Sequence, residues 1–111
     1  MDKIKKYQDI ICDILNEYGA VKRIPAEVKG QTMIDKENNH YQLISIGWHN
    51  NRFTYQTAFH FDIIGDKIWI QQNNTDIMIA DKLIENGVDK EDIVLGFIEP
   101  TMRRYSGFAE A

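Results

Sequence analysis

The segment from His40 to Gln72, HYQLISIGWHNNRFTYQTAFHFDIIGDKIWIQQ, constrains the fold more than any other part of the chain. Two turn signals interrupt it, Asn50-Asn51 and Gly65-Asp66. Asn, Gly and Asp tolerate the positive φ that two-residue hairpin loops require. The segment therefore reads as three antiparallel strands joined by two tight turns, and each turn sets a register. Trp48 is expected opposite Phe53, Ile46 opposite Tyr55 and Ile44 opposite Thr57. In the second hairpin Ile63 pairs with Ile68 and Phe61 with Ile70.

Side chains alternate faces with period two. One face is thus expected to carry Ile44, Ile46, Trp48, Phe53, Tyr55, Phe59, Phe61, Ile63, Ile68 and Ile70 as the core face; a one-residue slip would scatter this set. The opposite face then carries Tyr41, Leu43, Ala58, His60, Asp62, Trp69 and Gln71. Trp69 is expected opposite Asp62, and His60 between Tyr41 and Gln71. A purely solvated face would not usually hold Tyr41, Leu43, Ala58 and Trp69 together. These seven residues are therefore the candidate partner interface, unless another part of the chain covers them.

The flanking segments complete an α+β domain. From Asp2 to Tyr18, Ile4, Tyr7, Ile11, Ile14, Leu15 and Tyr18 recur at helical spacing, and Gly19 is a plausible stop. Ala20 to Lys29 is a connector that Pro25 keeps from forming a regular helix. Lys29 to Lys36 is weakly strand-like and leads through the KENN turn into the hairpins. Thr75 to Gly87 reads as a second helix, with Thr75 or Asn74 as N-cap and Gly87 as the C′ glycine, followed by a Val88 contact. Asp89 is placed to cap a short turn at Lys90 to Asp92. Ile93 to Ile98 is an apolar run whose length and Gly96 favour a buried strand. The tail from Thr101 to Ala111 either docks through its aromatics or frays. The expected architecture is one domain over residues 1–111, an antiparallel meander of about four strands with the N-terminal and C-terminal-half helices packed on one face.

The chain has 43% hydrophobic and 27% charged residues. At this length it can bury roughly two-thirds of its unfolded surface without a staple. The single Cys12 excludes an internal disulfide framework and suits a reducing compartment. There is no 18-residue apolar run, and Met1-Asp2-Lys3 leads straight into a charged amphipathic segment. No membrane span or signal peptide is expected, and the expected location is the cytoplasm. The net charge is −4, and the basic residues cluster only at Lys3, Lys5 and Lys6 and at Arg103-Arg104. Direct nucleic-acid binding is therefore disfavoured.

No cofactor or metal site is expected. His40 is assigned to the core face, while His49 and His60 lie on the other face, roughly 25 Å apart at the usual strand rise. No CxxC, HxxxH or HExxH spacing occurs. Cys12 has no sequence-adjacent base, and Ser45 and Ser106 lack an elbow motif. His60 and Asp62, two apart on one strand beside Trp69, Tyr41 and Gln71, offer either an acid–base pair or a polar patch in an interface. The interface reading is the stronger, and no enzymatic activity is expected.

The blocks HYQLISIGW (His40 to Trp48), GDKIWIQ (Gly65 to Gln71), NGVDKEDIVLGF (Asn86 to Phe97) and SGFA (Ser106 to Ala109), together with the opening MDKIKKYQDII, resemble the XisI family of fdxN-element excision controlling factors, found mainly in cyanobacteria. The likeness covers nearly the whole chain. Met78, Asp89 and Ser106 depart from the family's usual small residue, Pro and Thr. The resemblance implies an accessory role in developmentally regulated DNA rearrangement of the kind that accompanies heterocyst differentiation. It also implies an XisH-like protein as partner and a site-specific recombinase nearby. Three readings follow: a controller of excision that binds an XisH-like partner, an inhibitor or antidote that restrains a nuclease-like XisH partner, and a small enzyme using His60 and Asp62. A homo-oligomer, in the first instance a dimer, is expected from the mixed sheet face.

Overall fold

Asp2 starts the first helix: its carboxylate accepts the Ile4 N–H at 3.0 Å, satisfying one of the donors that a helix N-terminus leaves without a partner. The computed structural model describes residues 2–21 and 27–111; the connector around Pro25 lies outside them. Helix α1 (Lys3–Gly19) buries Tyr7, Ile11, Cys12, Ile14 and Leu15. Each large apolar side chain on this stripe contributes about 1.5–3 kcal/mol by leaving water. Burial pushes the Cys12 thiol pKa up, as for a thiol packed in apolar surroundings.

Five strands follow in chain order: β1 (Lys29–Asp35), β2 (His40–His49), β3 (Arg52–Ile64), β4 (Lys67–Asn73) and, after a helix, β5 (Ile93–Leu95). The sheet order is β1-β2-β3-β4-β5. The first four strands form the expected antiparallel meander, and β5 joins the edge of β4 in parallel. The α+β class and the meander are as expected, and the apolar run after Asp92 supplies the fifth strand. Both turns have the chemistry their residues demand, with Asn50, Asn51 and Gly65 all at positive φ. Pairs near the turns match expectation: Trp48 with Phe53, Ile46 with Tyr55 and Ile44 with Thr57, then Ile63 with Ile68 and Phe61 with Ile70.

Beyond Ile44 the first hairpin departs from the expected register. Leu43 pairs with Phe59, Gln42 with His60 and Tyr41 with Phe61, so Ala58 is an extra residue on β3. This bulge exchanges the faces of everything past it. Tyr41 and Leu43 turn inward beside Phe59, Phe61, Ile63, Ile68 and Ile70 in the core under α1. Trp48, Phe53 and Tyr55, assigned to the core by periodicity, are exposed on the other face. A second irregularity leaves Gln71 unpaired between Ile70, which faces Phe61, and Gln72, which faces His60.

Helix α2 (Ile79–Glu85) contributes Ile79 and Leu83 to the same core and lies beside α1, where Lys82 meets Glu17 at 3.5 Å. It begins four residues later than Thr75. Asn73 accepts the N–H and hydroxyl of Thr75, whose own oxygen accepts the Ile77 N–H at 3.1 Å. These side-chain bonds make a turn that competes with the helix. The C-terminal end matches expectation: Gly87 has φ 107 and the Val88 N–H returns to Leu83 O at 3.0 Å.

The tail docks instead of fraying: Phe108 packs against the core cluster, and Arg103 is a second anchor that sequence pattern did not show. Arg103 is buried. It donates to the carbonyls of Ile98 (3.0 Å), Gly96 (3.3 Å) and Glu110 (3.4 Å) and lies 4.9 Å from the centroid of the Trp69 ring. Ala109 adds a parallel bridge to Val94. The tail thereby covers the β4–β5 end of the face opposite the helices. Arg103→Ala is expected to cost about 2 kcal/mol, because three carbonyls lose a charged donor. It should also shift Trp69 fluorescence to the red; an unshifted spectrum would show that the tail stays down without the guanidinium.

Candidate functional site

The sheet face left open by the helices and the tail divides into a polar part and an aromatic part. The polar part forms because the Ala58 bulge brings β2 and β3 into a register that sequence alternation does not give. His40 lies opposite Asp62, and Gln42 opposite His60. His40 is therefore not on the core face; it shares the open face with His60.

Asp62 is the centre of this cluster. Its Oδ1 accepts from His40 Nδ1 and from His60 Nε2, each at 2.8 Å. Its Oδ2 accepts from Gln71 Nε2 at 3.2 Å. Gln42 Nε2 stands 3.1 Å from the other nitrogen of His60, Nδ1. Burial opposes ionisation of Asp62, but the hydrogen bonds from His40, His60 and Gln71 outweigh it and hold its carboxyl below the usual range. The hydrogen bond to Asp62 in turn raises the pKa of His40. A carboxylate engaged by three donors orients its neighbours and is a poor free base.

Of the seven residues singled out by sequence, the structure keeps His60, Asp62, Trp69 and Gln71 on this face. Tyr41 and Leu43 are corrected to the core, since the bulge reverses their faces. Ala58 is the bulged residue and packs against the core cluster. Trp69 is capped by Arg103. His40 and Gln42 were missed. The signal for them was present in β2, where the apolar positions change phase between Leu43 and Ile44: Tyr41 and Leu43 are odd, while Ile44, Ile46 and Trp48 are even.

The aromatic part lies toward the Asn50-Asn51 turn. Trp48 and Tyr55 are each 62% exposed and Phe53 is 51% exposed. The Trp48 and Phe53 rings sit 5.1 Å apart across the hairpin. Gly47 lets the returning chain close over the opposite side here, since a Cβ on it would lie 2.3 Å from the Glu27 carbonyl oxygen. A separate apolar cavity of about 270 Å³, lined by Ile70, Ile77, Met78, Leu95, Phe97 and Phe108 among others, includes none of the polar cluster.

The family model described as XisI protein matches residues 1–110. Two crystal structures from Anabaena variabilis ATCC 29413 share the fold. A XisI-like protein is 38% identical, with a TM-score of 0.88 over 97% of this chain and 99% of that one. The fdxN element excision controlling factor XisI is 29% identical, with a TM-score of 0.84 over 99% of this chain and all of that one. No curated protein matches the chain. Among the described residues, no helix is long and apolar enough to cross a membrane.

Proposed function

The chain belongs to the XisI family, and on that premise we propose that it is an accessory controlling factor of DNA-element excision that works by binding another protein and not by catalysis. The partner we propose is an XisH-like protein, engaged through the aromatic part of the open sheet face. The observation that carries this reading is the exposed strip of Trp48, Phe53 and Tyr55. Such aromatics are enriched at interface centres and depleted on idle surface. The net charge of −4 supports contact with a protein in preference to direct contact with a phosphate backbone. Without that partner, the same strip is the surface that would hold two copies of the chain together.

The test is co-purification of the tagged chain with the XisH-like protein from the same source. A stoichiometric complex is expected. The double variant Trp48→Ala/Tyr55→Ala should weaken it by about 30-fold or more, the loss of at least one interface hot spot, while its own stability stays within about 2 kcal/mol, the size of the two cross-strand pairs it breaks. A partner that cuts DNA when alone and stops when this chain is added makes the chain an inhibitor. A requirement for both proteins in excision makes it a controller. Failure of the two proteins to associate, with this chain well folded, would remove the proposal.

A further inference from the structure

We propose that His40, His60 and Asp62 form a binding site for a divalent transition-metal ion, Zn²⁺ in the first instance. Each residue offers one ligand atom, and the three atoms lie within 4.8 Å of one another. Two imidazole nitrogens and one carboxylate oxygen are a donor set that suits Zn²⁺ and its neighbours, whereas Mg²⁺ and Ca²⁺ prefer oxygen alone. The atoms converge from two strands that the bulge holds in register, and they face the open side of the sheet.

The fit needs both rings to move. Ligand atoms around a tetrahedral zinc, each about 2.0–2.1 Å from the ion, stand roughly 3.3 Å apart. Both nitrogen–oxygen separations are now 2.8 Å, while the three ligand atoms span up to 4.8 Å, so the ring nitrogens must retreat from the carboxylate by about half an ångström and close on one another by up to about 1.5 Å. The His40 side chain is 59% exposed and has room to do so. The protons can be followed. Both rings must give up the proton that now points at Asp62: His60 loses it from Nε2 and carries one on Nδ1, facing Gln42, while His40 loses it from Nδ1 and keeps one on Nε2. Gln42 answers by turning its terminal amide so that Oε1 accepts where Nε2 now stands. Asp62 keeps the Gln71 bond on Oδ2 while Oδ1 takes the metal. Gln42 and Gln71 thus act as the outer partners that fix ligand orientation. The carboxylate of Asp35, paired across the strand from His40, adds negative charge nearby. Water fills the remaining coordination positions on the solvent side.

The experiment is calorimetric titration of the full chain, first stripped with chelator, with Zn²⁺ and with Co²⁺, the latter also followed by its visible absorption. One ion per chain is expected, with a thermal midpoint that rises with added Zn²⁺ and falls back with EDTA. His40→Ala, whose side chain is mostly in solvent, should retain the fold by circular dichroism and lose more than tenfold in affinity. Gln42→Ala should lose about tenfold through ligand orientation alone. His49→Ala and Cys12→Ser should bind as the parent does. No saturable binding by the parent would show the cluster to be a hydrogen-bonded network only. Binding that survives His40→Ala, or vanishes in His49→Ala or Cys12→Ser, would place the ion elsewhere; either result overturns the proposal. Should His60→Ala fail to fold, the His40 and Gln42 variants still decide it.

Discussion

Leu43→Ala should lower the folding free energy by about 2–5 kcal/mol, the range for emptying a buried leucine site. This is a large share of the total of about 5–15 kcal/mol for a domain of ordinary stability. Leu43 is 1% exposed and belongs to the core cluster under α1. Gly19, at the end of α1, lies beside a Leu43 methyl, which a Cβ at that position would meet at 3.5 Å. The cavity has little means of collapsing, because the sheet fixes one wall and α1 the other. The substitution also separates the two possible registers of the hairpin. On the open face it would cost no more than about 0.5 kcal/mol and would act on partner binding instead. Urea unfolding decides between them: a midpoint that falls sharply with unchanged slope places Leu43 in the core, and a midpoint equal to the parent's would put the Ala58 bulge in doubt.

That contrast shows where the sequence was legible. Asn50-Asn51 and Gly65-Asp66 were sufficient to place both turns and every pair between Ile44 and His49, because a two-residue loop determines the register of the residues beside it. The bulge was not legible. Ala58 carries no turn chemistry, and what selects the bulge is the benefit of bringing Tyr41 and Leu43 under a helix whose position local pattern does not show. The expected absence of a metal site rested on the same unbroken alternation, and its premise about His40 fails for the same reason: His40, His60 and Asp62 meet across strands, where no sequence spacing records them. Arg103 escaped notice because its partners are backbone carbonyls, which have no signature in side-chain identity. The phase change at Leu43/Ile44 was the one local clue. It shows that a strand whose apolar parity reverses midway should be read as presenting its apolar side chains on different faces at its two ends.

The second large effect expected is a stability profile with an acid edge and an alkaline edge, both set in part by the contact that ties α1 to the turn before β5. Asp92 Oδ2 accepts the Tyr7 hydroxyl at 2.5 Å and pairs with Lys3 Nζ at 2.7 Å, and both Tyr7 and Asp92 are buried. Burial alone would push the Asp92 pKa up, but the hydrogen bonds from Lys3 and Tyr7 prevail and hold it below the ordinary 3.8. A folded-state pKa below the unfolded value gives stability that is present above about pH 4 and lost as the pH falls through the folded pKa. Tyr7 behaves in the opposite sense. Burial, then the bond to Asp92, raises it from 10.0 to about 12, so its share is complete below pH 10 and disappears between about pH 10 and 12, worth roughly 2–3 kcal/mol. Tyr41, raised to about 12 by burial, shares that edge, and Asp62 shares the acid one. Asp92→Asn should therefore flatten the acid edge without abolishing it and should cost about 1–3 kcal/mol at neutral pH, since Lys3 and Tyr7 lose a charged acceptor in a buried position. Tyr7→Phe should shrink the acid edge, because one of the two bonds that hold the Asp92 pKa down is lost, and should reduce the alkaline one by about half, because Tyr41 still titrates. Thermal midpoints recorded from pH 2 to 12 on the parent and both variants test this. If Tyr7→Phe kept the full loss above pH 10, the alkaline edge would belong to Tyr41 and Lys3, and the contact between Tyr7 and Asp92 would hold the fold without setting its pH range.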